Sequence, residues 1–383
     1  MPTTFLTRAF LVCCLVFVAS HNHAQEPALF DGPLFNGKDL TGWVLTNTPP
    51  ETWSVKDNML VCTGKPIGEI RTERMFHNFE LELEWRHMVP GGNAGVFIWA
   101  DDITSRGVPF HRGIEVQVLE NAYGNTQSHT THGDIFPIHG ATMTPVNGRG
   151  GGSRAFPTEE RAKPSPEWNH YRIVCNDGSI SLAVNGKVVT QGTNCNPRKG
   201  YICLESEGGV VHYRNISLKE LPATPIADEL VAISDRGYRS LYTGLNLQGW
   251  IVAEPAASAW KVKDWVLGFD GSVSSSVSRL ASSESFKLAG FVFDFRFTDK
   301  SHSLACHLPG SPAPLVIHAK DDSQFGKSSE KISSWNRAEG KISEGKLTLK
   351  INRDTYEIDR QAGTGKLAFE VDGPIEIANI FVR

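Results

Sequence analysis

Two stretches of this chain repeat each other without a gap. Leu34-Phe35-Asn36-Gly37-Lys38-Asp39-Leu40-Thr41-Gly42-Trp43 lies over Leu241-Tyr242-Thr243-Gly244-Leu245-Asn246-Leu247-Gln248-Gly249-Trp250, and the same offset lays Trp53-Ser54-Val55-Lys56-Asp57 over Trp260-Lys261-Val262-Lys263-Asp264. The strand-like segments that follow agree in pattern: Phe79, Leu81, Leu83 and Trp85 alternate with charges, as Phe291, Phe293, Phe295 and Phe297 alternate with mostly polar residues. Both copies close alike, Val211-His212-Tyr213-Arg214-Asn215-Ile216 answering Ile375-Glu376-Ile377-Ala378-Asn379-Ile380. A chain of 383 residues is long enough for two units. We place them at 30–221 and 241–383, joined by a Pro-bearing linker over 222–240.

Within each copy, short alternating runs sit between turn signals. Residues 168–174 and 180–184 are separated by Asn176-Asp177-Gly178, and Asn185-Gly186-Lys187 follows, the pattern of a meander with two tight hairpins. Long runs of helix formers at 3.6 spacing are missing, while Gly 36 and Pro 21 supply abundant turns. The reading is an all-β protein of tandem concanavalin A-like or laminin-G-like jelly-roll sandwiches.

Arg8, the apolar run from Ala9 to Ala19 and the small residues Ala19, Ser20 and Ala24 have the order of a secretory signal peptide, so residues 1–24 are expected to be removed and the protein secreted or periplasmic. That run is too short to span a bilayer and no later segment reaches 18 apolar residues, so no stable membrane insertion is expected. A net charge of −4 without a long basic run argues against nucleic acid as a partner. Cys62, Cys175, Cys195, Cys203 and Cys306 are odd in number and lack C-x-x-C spacing, which speaks against a structural zinc site or a full disulfide framework. They read as buried small hydrophobes with at most one or two bridges.

The first copy is about 40 residues longer, and the excess lies between Gly91 and Arg161, where an insertion on a rigid sandwich would carry function. In Gly113-Ile114-Glu115-Val116-Gln117-Val118-Leu119-Glu120, period two sends Ile114, Val116 and Val118 to the core and leaves Glu115 and Gln117 on the opposite face, about 6.6 Å apart. An acid and an amide so placed suit a sugar, or else a solvated outer face. Asn93-Ala94-Gly95-Val96-Phe97-Ile98-Trp99 offers Asn93, Gly95, Phe97 and Trp99 away from the core, a pyranose platform unless the rings are themselves core. Glu205 faces opposite Leu204, and Arg214 shares a face with His212, which would put acid, amide and guanidinium on one sheet. His132, Asp134 and His139 lie in a loop from Thr131 to Gly140 and could hold a divalent metal ion, supply a general acid and base, or only brace the loop. Gly148-Arg149-Gly150-Gly151-Gly152-Ser153-Arg154 lacks a phosphate-loop lysine and reads as a flexible lid.

Together Leu34-Phe35-Asn36-Gly37…Gly42-Trp43, Asn93-Ala94-Gly95, Glu115-Val116-Gln117-Val118-Leu119-Glu120, Glu167-Trp168-Asn169, Val184-Asn185-Gly186 and Tyr213-Arg214-Asn215-Ile216 resemble the 3-keto-disaccharide hydrolase domain, the 3-keto-glucoside lyase/2-hydroxy-glucal hydratase family, over about residues 30–221. The family pattern has Asn-Ser-Gly where this chain has Asn93-Ala94-Gly95, and Asp where it has Glu120. The resemblance implies an enzyme acting on an oligosaccharide or glycoside already oxidised at C3 by a sugar 3-dehydrogenase. The ketone acidifies the C2 proton, a base removes it, the C1 oxygen leaves, and water adds back. On that reading Glu115 or a loop histidine, His132 or His139, is the base. Arg214 or a bound metal on His132, Asp134 and His139 holds the enolate. Gln117, Asn93, Glu205, Phe97 and Trp99 contact the sugar. The second copy shows neither the Glu-x-Gln strand nor the arginine, having Ala378 in its place, and reads as a non-catalytic copy.

Two other classes fit the same scaffold. A laminarinase-type glycoside hydrolase carries Glu-x-Asp-x-x-Glu, which Glu115 to Glu120 imitates with Gln117 for the Asp. Retaining hydrolysis needs carboxylates about 5–5.5 Å apart, and positions five apart on an unbulged strand point to opposite faces. A carbohydrate-binding module without catalysis is the third class.

Overall fold

Alternation decides the central strands. In the computed structural model, Phe79–His87 buries Phe79, Leu81, Leu83, Trp85 and His87 and turns Glu80, Glu82, Glu84 and Arg86 outward. It pairs with Asn169–Asn176 on one side and Val211–Glu220 on the other. The turns Asp177-Gly178 and Asn185-Gly186 each place two consecutive residues in the left-handed region, the geometry that closes a two-residue hairpin without splaying its strands. These strands belong to a nine-stranded antiparallel sheet. The structure describes residues 28–123, 132–148, 152–254, 256–273, 278–298, 302–319 and 333–383. The leader read in residues 1–24 lies outside them, as do Thr131 and residues 149–151 of the glycine-rich segment.

Against this sheet packs one of six strands, in the order Trp43–Thr46, Gly68–Thr72, Tyr201–Ser206, Asn93–Ala100, Gly113–Leu119, Ile135–Ile138. Its inward residues, among them Ile70, Val96, Ile98, Ile114, Val116, Val118, Ile202 and Leu204, join Leu81, Leu83, Trp85, Tyr171 and Tyr213 in one continuous core. The later strands pair in the same spatial order. They form an eight-stranded and a five-stranded sheet about a second core that includes Phe291, Phe293, Phe295 and Phe297. The strands Ile135–Ile138 and Thr142–Pro145 extend the edges of the first pair of sheets and have no counterpart among the described residues of the second. The fold is therefore all-β and built from antiparallel sandwiches, with no α-helix among the described residues and none long and apolar enough to cross a membrane. The five described cysteines are all buried and unbridged.

Residues 222–240 run along the first sandwich, where Arg236 grips Asp102 and Ala232 donates its N–H to the Lys199 carbonyl at 2.8 Å, before Arg239–Ser240 pairs with Phe381 and Val382. The two sandwiches meet at a hairpin that leaves the Asn93–Ala100 strand, is tied by the Thr104–His111 bridge, and returns into Gly113–Leu119. Side chains of the second sandwich hold the backbone of its tip. Asn379 donates to the carbonyls of Ser105 (3.1 Å) and Val108 (2.9 Å), Arg337 to that of Thr104 (2.9 Å), and the Gly107 N–H donates to Asp294 (2.8 Å). The fully buried Asp294 carboxylate also accepts from Arg337 (2.6 and 2.8 Å) and Asn379 (2.7 Å), and Asn47 donates to Asn379 across the junction at 2.7 Å.

Asp294→Ala would leave the Arg337 guanidinium buried without its anion, and we expect a loss of about 3–5 kcal/mol in urea unfolding of the full chain. Arg239→Ala, which breaks a half-exposed pair with Glu284, is expected to stay within about 1 kcal/mol of the parent.

Candidate functional site

The core of the first sandwich uses one face of the six-stranded sheet, so the side chains between the core positions all emerge on the other. Register sets Glu69 opposite Glu205, Cys203 opposite Phe97, Phe97 opposite Glu115, and Gly95 opposite Gln117. Gly95 is the centre of this face. A Cβ there would lie 2.9 Å from Glu115 Oε1 and 3.0 Å from Glu205 Oε2, so the two carboxylates converge over a position that has no side chain. Gln117 donates to Asn93 Oδ1 at 2.8 Å, Asn93 donates to Glu207, and Glu207 is hydrogen-bonded to Glu205. Asn93, Glu115, Gln117, Glu205 and Glu207 thus form one connected group.

Burial is the main force on these acids. Glu115 is 7% exposed, and loss of water raises its pKa well above the ordinary carboxylate range; the charges of Glu207, Glu69 and Asp134 push the same way while Arg154 opposes them. Glu205 is raised well above that range first by burial and then by Glu115, Glu207 and Glu69, and its Oε2 has no hydrogen-bond partner. Burial also raises Glu207, against hydrogen bonds from Glu205 and Asn93 that lower it. The opposing cation, Arg154, is ion-paired with Asp134 at 2.9 Å and lies 3.4 Å above the ring of Phe136, the cross-strand neighbour of Glu115.

Several residues expected at the site are elsewhere. Arg214 lies on Val211–Glu220 in the nine-stranded sheet, where Tyr213 takes the core position, so its guanidinium leaves the opposite side of the sandwich. There it pairs with Glu84 at 2.8 Å and stacks on Trp168 at 3.9 Å. Trp99 has φ +55°, which breaks the alternation, so Ile98 and Trp99 both enter the core; its Nε1 donates to the His77 carbonyl at 2.9 Å. Phe97 does point outward but is fully buried beneath Met75, Phe110 and Ile138, and offers no open platform. The segment from His132 to His139 is not a loop throughout. Ile135–Ile138 is a strand of about 10 Å that puts the buried His132 and the exposed His139 at opposite ends, while Asp134 pairs with Arg154. These three do not gather; among the described residues the group whose donor atoms lie within 4.8 Å of one another is Glu69, His111 and Cys203, which could hold a metal. Glu120 accepts from the backbone N–H groups of Gly91 (2.7 Å), Ala122 (2.7 Å) and Ser165 (3.0 Å), a loop anchor and no partner for Glu115.

The sequence carries a signal for Glu207 and Glu69, since the alternation that exposes Glu205 also exposes Glu207, and Gly68-Glu69-Ile70-Arg71 alternates likewise. Arg154 and His111 stand in irregular segments where no period points to a face.

Residues 31–219, the first sandwich, match the domain family described as 3-keto-alpha-glucoside-1,2-lyase-like. A 3-keto-disaccharide hydrolase of Bacteroides thetaiotaomicron is 25% identical over 250 residues, covering 53% of this chain and 83% of that protein. Two solved Parabacteroides distasonis proteins, each assigned as a glycosyl hydrolase, cover 49% of this chain and 93% and 98% of their own. They are 23% and 26% identical to it, with TM-scores of 0.39 and 0.38.

A carboxyl whose pKa is higher folded than unfolded stabilises the fold below the unfolded value, and that contribution is lost as pH rises through the folded value. Glu115→Gln should therefore be more stable than the parent at pH about 8, with the difference shrinking toward pH about 4. Urea unfolding at both pH values measures it, and equal differences would contradict the assigned shift.

Proposed function

Because residues 31–219 belong to the 3-keto-alpha-glucoside-1,2-lyase-like family, we propose that the face around Gly95 cleaves the glycosidic bond of 3-keto-glycosides. The observation that carries the proposal is the convergence of Glu115 with Glu205 over Gly95, beside the amides of Asn93 and Gln117. In a 3-keto-glycoside the ketone makes the C2 hydrogen acidic. Glu115, with its basicity increased by burial, takes that proton and the electron pair enters the C2–C3 enolate. The enolate re-forms the ketone, the C1–O bond breaks, and the departing oxygen takes up the proton from the carboxyl that Glu115 has become. The products are the alcohol and a 2-hydroxy-glucal. Addition of water, hydroxyl to C1 and hydrogen to C2, gives the free 3-keto sugar.

Asn93 and Gln117 hold sugar hydroxyls, and Arg154 supplies the positive charge expected from Arg214 or a bound metal. The substrate must first be oxidised at C3 by a sugar 3-dehydrogenase. The leader pattern of residues 1–24 supports a secreted or periplasmic setting for this chemistry. A second reading has a specific support: Glu115 Oε1 and Glu205 Oε2 are at most about 6 Å apart, close to the separation that retaining hydrolysis of an unoxidised sugar requires.

With a 3-keto-glucoside and the mature protein, Glu115→Gln is expected to lower kcat/KM by about 10²–10⁴-fold, while Arg214→Ala stays close to the parent. The acid limb of the pH profile is expected above the ordinary carboxylate range, because the base must be ionised and burial with Glu207 opposes that. A folded Glu115→Gln protein with full activity would remove Glu115 from the reaction. Sugar binding without turnover would leave a binding module.

A further inference from the structure

We propose that Glu69, His111 and Cys203 form a binding site for a divalent transition-metal ion of the zinc type. The three residues come from separate segments: the Gly68–Thr72 strand, the foot of the hairpin held by the second sandwich, and the Tyr201–Ser206 strand. All three side chains are fully buried, and their donor atoms all lie within 4.8 Å of one another. Cys203 Sγ is 3.8 Å from His111 Nδ1; Glu69 Oε2 contacts the same nitrogen and accepts the His111 backbone N–H at 2.9 Å.

A simple carboxylate–imidazole pair does not account for the arrangement. Glu69 Oε1 is buried with no hydrogen-bond partner, a costly state for a carboxylate oxygen that a cation would relieve. The adjacent cation does not take that place. Arg71 donates to the carbonyls of Asp102 (3.0 Å) and Thr72 (2.9 Å) and stacks on Tyr201 at 4.4 Å. Sulfur, imidazole nitrogen and one carboxylate oxygen suit zinc and its neighbours, whereas calcium and magnesium prefer oxygen ligands throughout. Three protein ligands leave a fourth position for water or another small donor.

The position has a consequence for the acidic face. Cys203, Glu205 and Glu207 follow one another on the same side of their strand, and Glu69 is the cross-strand partner of Glu205. An ion there adds positive charge behind a group of carboxylates that repel one another. It also ties His111 to the sheet, so the grip of Asp294 and Asn379 on the hairpin helps set one metal ligand in place. The spacing of residues 69, 111 and 203 resembles no sequence signature for zinc, which is why cysteine spacing alone spoke against such a site.

The test uses the full mature chain, stripped with a chelator, desalted and loaded with zinc or cobalt(II) ions, and needs no sugar. One equivalent of metal is expected by mass spectrometry, and the cobalt form is expected to show the near-ultraviolet thiolate-to-cobalt charge-transfer band. Cys203→Ser should lose that band and bind at least about tenfold more weakly, and Glu69→Gln should weaken binding while keeping the band. Cys62→Ser, which changes a buried cysteine outside the group, should leave both readings as in the parent. Failure to retain metal at micromolar concentration, a cobalt spectrum without the thiolate band, or a band that survives Cys203→Ser would overturn the site. Since no step reads turnover, that result would leave the proposed glycoside cleavage standing.

Discussion

Like charges brought together out of water repel, and the first sandwich is organised around that repulsion. Glu115, Glu205 and Glu207 occupy neighbouring outward positions of one sheet and are all largely buried. Such a group persists only if the surrounding structure fixes it. The aliphatic underside of the three strands supplies a rigid floor, and Gly95 supplies the space. Asn93 and Gln117 supply hydrogen bonds, and Arg154, held by Asp134 and Phe136, supplies the opposing charge. The acids are poor contributors to stability in this setting, and their basicity is raised by the same cause.

How much of this could be read from the sequence follows from what alternation can and cannot say. Period two correctly placed Ile114, Val116 and Val118 in the core and Glu115 and Gln117 outside it, because that strand is regular from end to end. The Asp-Gly and Asn-Gly turns gave the hairpin register for the same local reason. Alternation fails where the backbone departs from it, as at Trp99, whose positive φ turns an outward ring inward. It also says which face of a strand a residue occupies but not which sheet the strand joins. Arg214 and Glu205 looked like neighbours and leave opposite sides of the sandwich. His132 and His139 were close in sequence, and an intervening strand holds them apart. Arg154 and His111 reach the site from irregular segments through long-range contacts that no short window contains.

The second set of sheets repeats the pairing order of the first and puts equivalent positions to different use. Asn215 and Asn379 both have φ +50° midway along the last strand of their copy. Asn215 is exposed and donates to Glu84, whereas Asn379 is fully buried at the junction, bonded to Asp294 and to the hairpin backbone. The strand Leu315–His318 occupies the place of Gly113–Leu119 and carries no Glu-x-Gln pair. What the second sandwich does offer is a firm hold on residues 104–108, and through them on the segment that brings His111 and Phe110 to the acidic face.

The central claim is that bond cleavage begins with loss of the C2 proton. A 3-keto-glucoside carrying deuterium at C2 tests it directly when turned over by the mature protein in ordinary water. Elimination predicts slower release of the aglycone from the labelled substrate and loss of the C2 deuterium to solvent in the released sugar. Displacement at C1 by Glu115 and Glu205 would give unchanged rates and a product that keeps its deuterium, and that outcome would contradict the account.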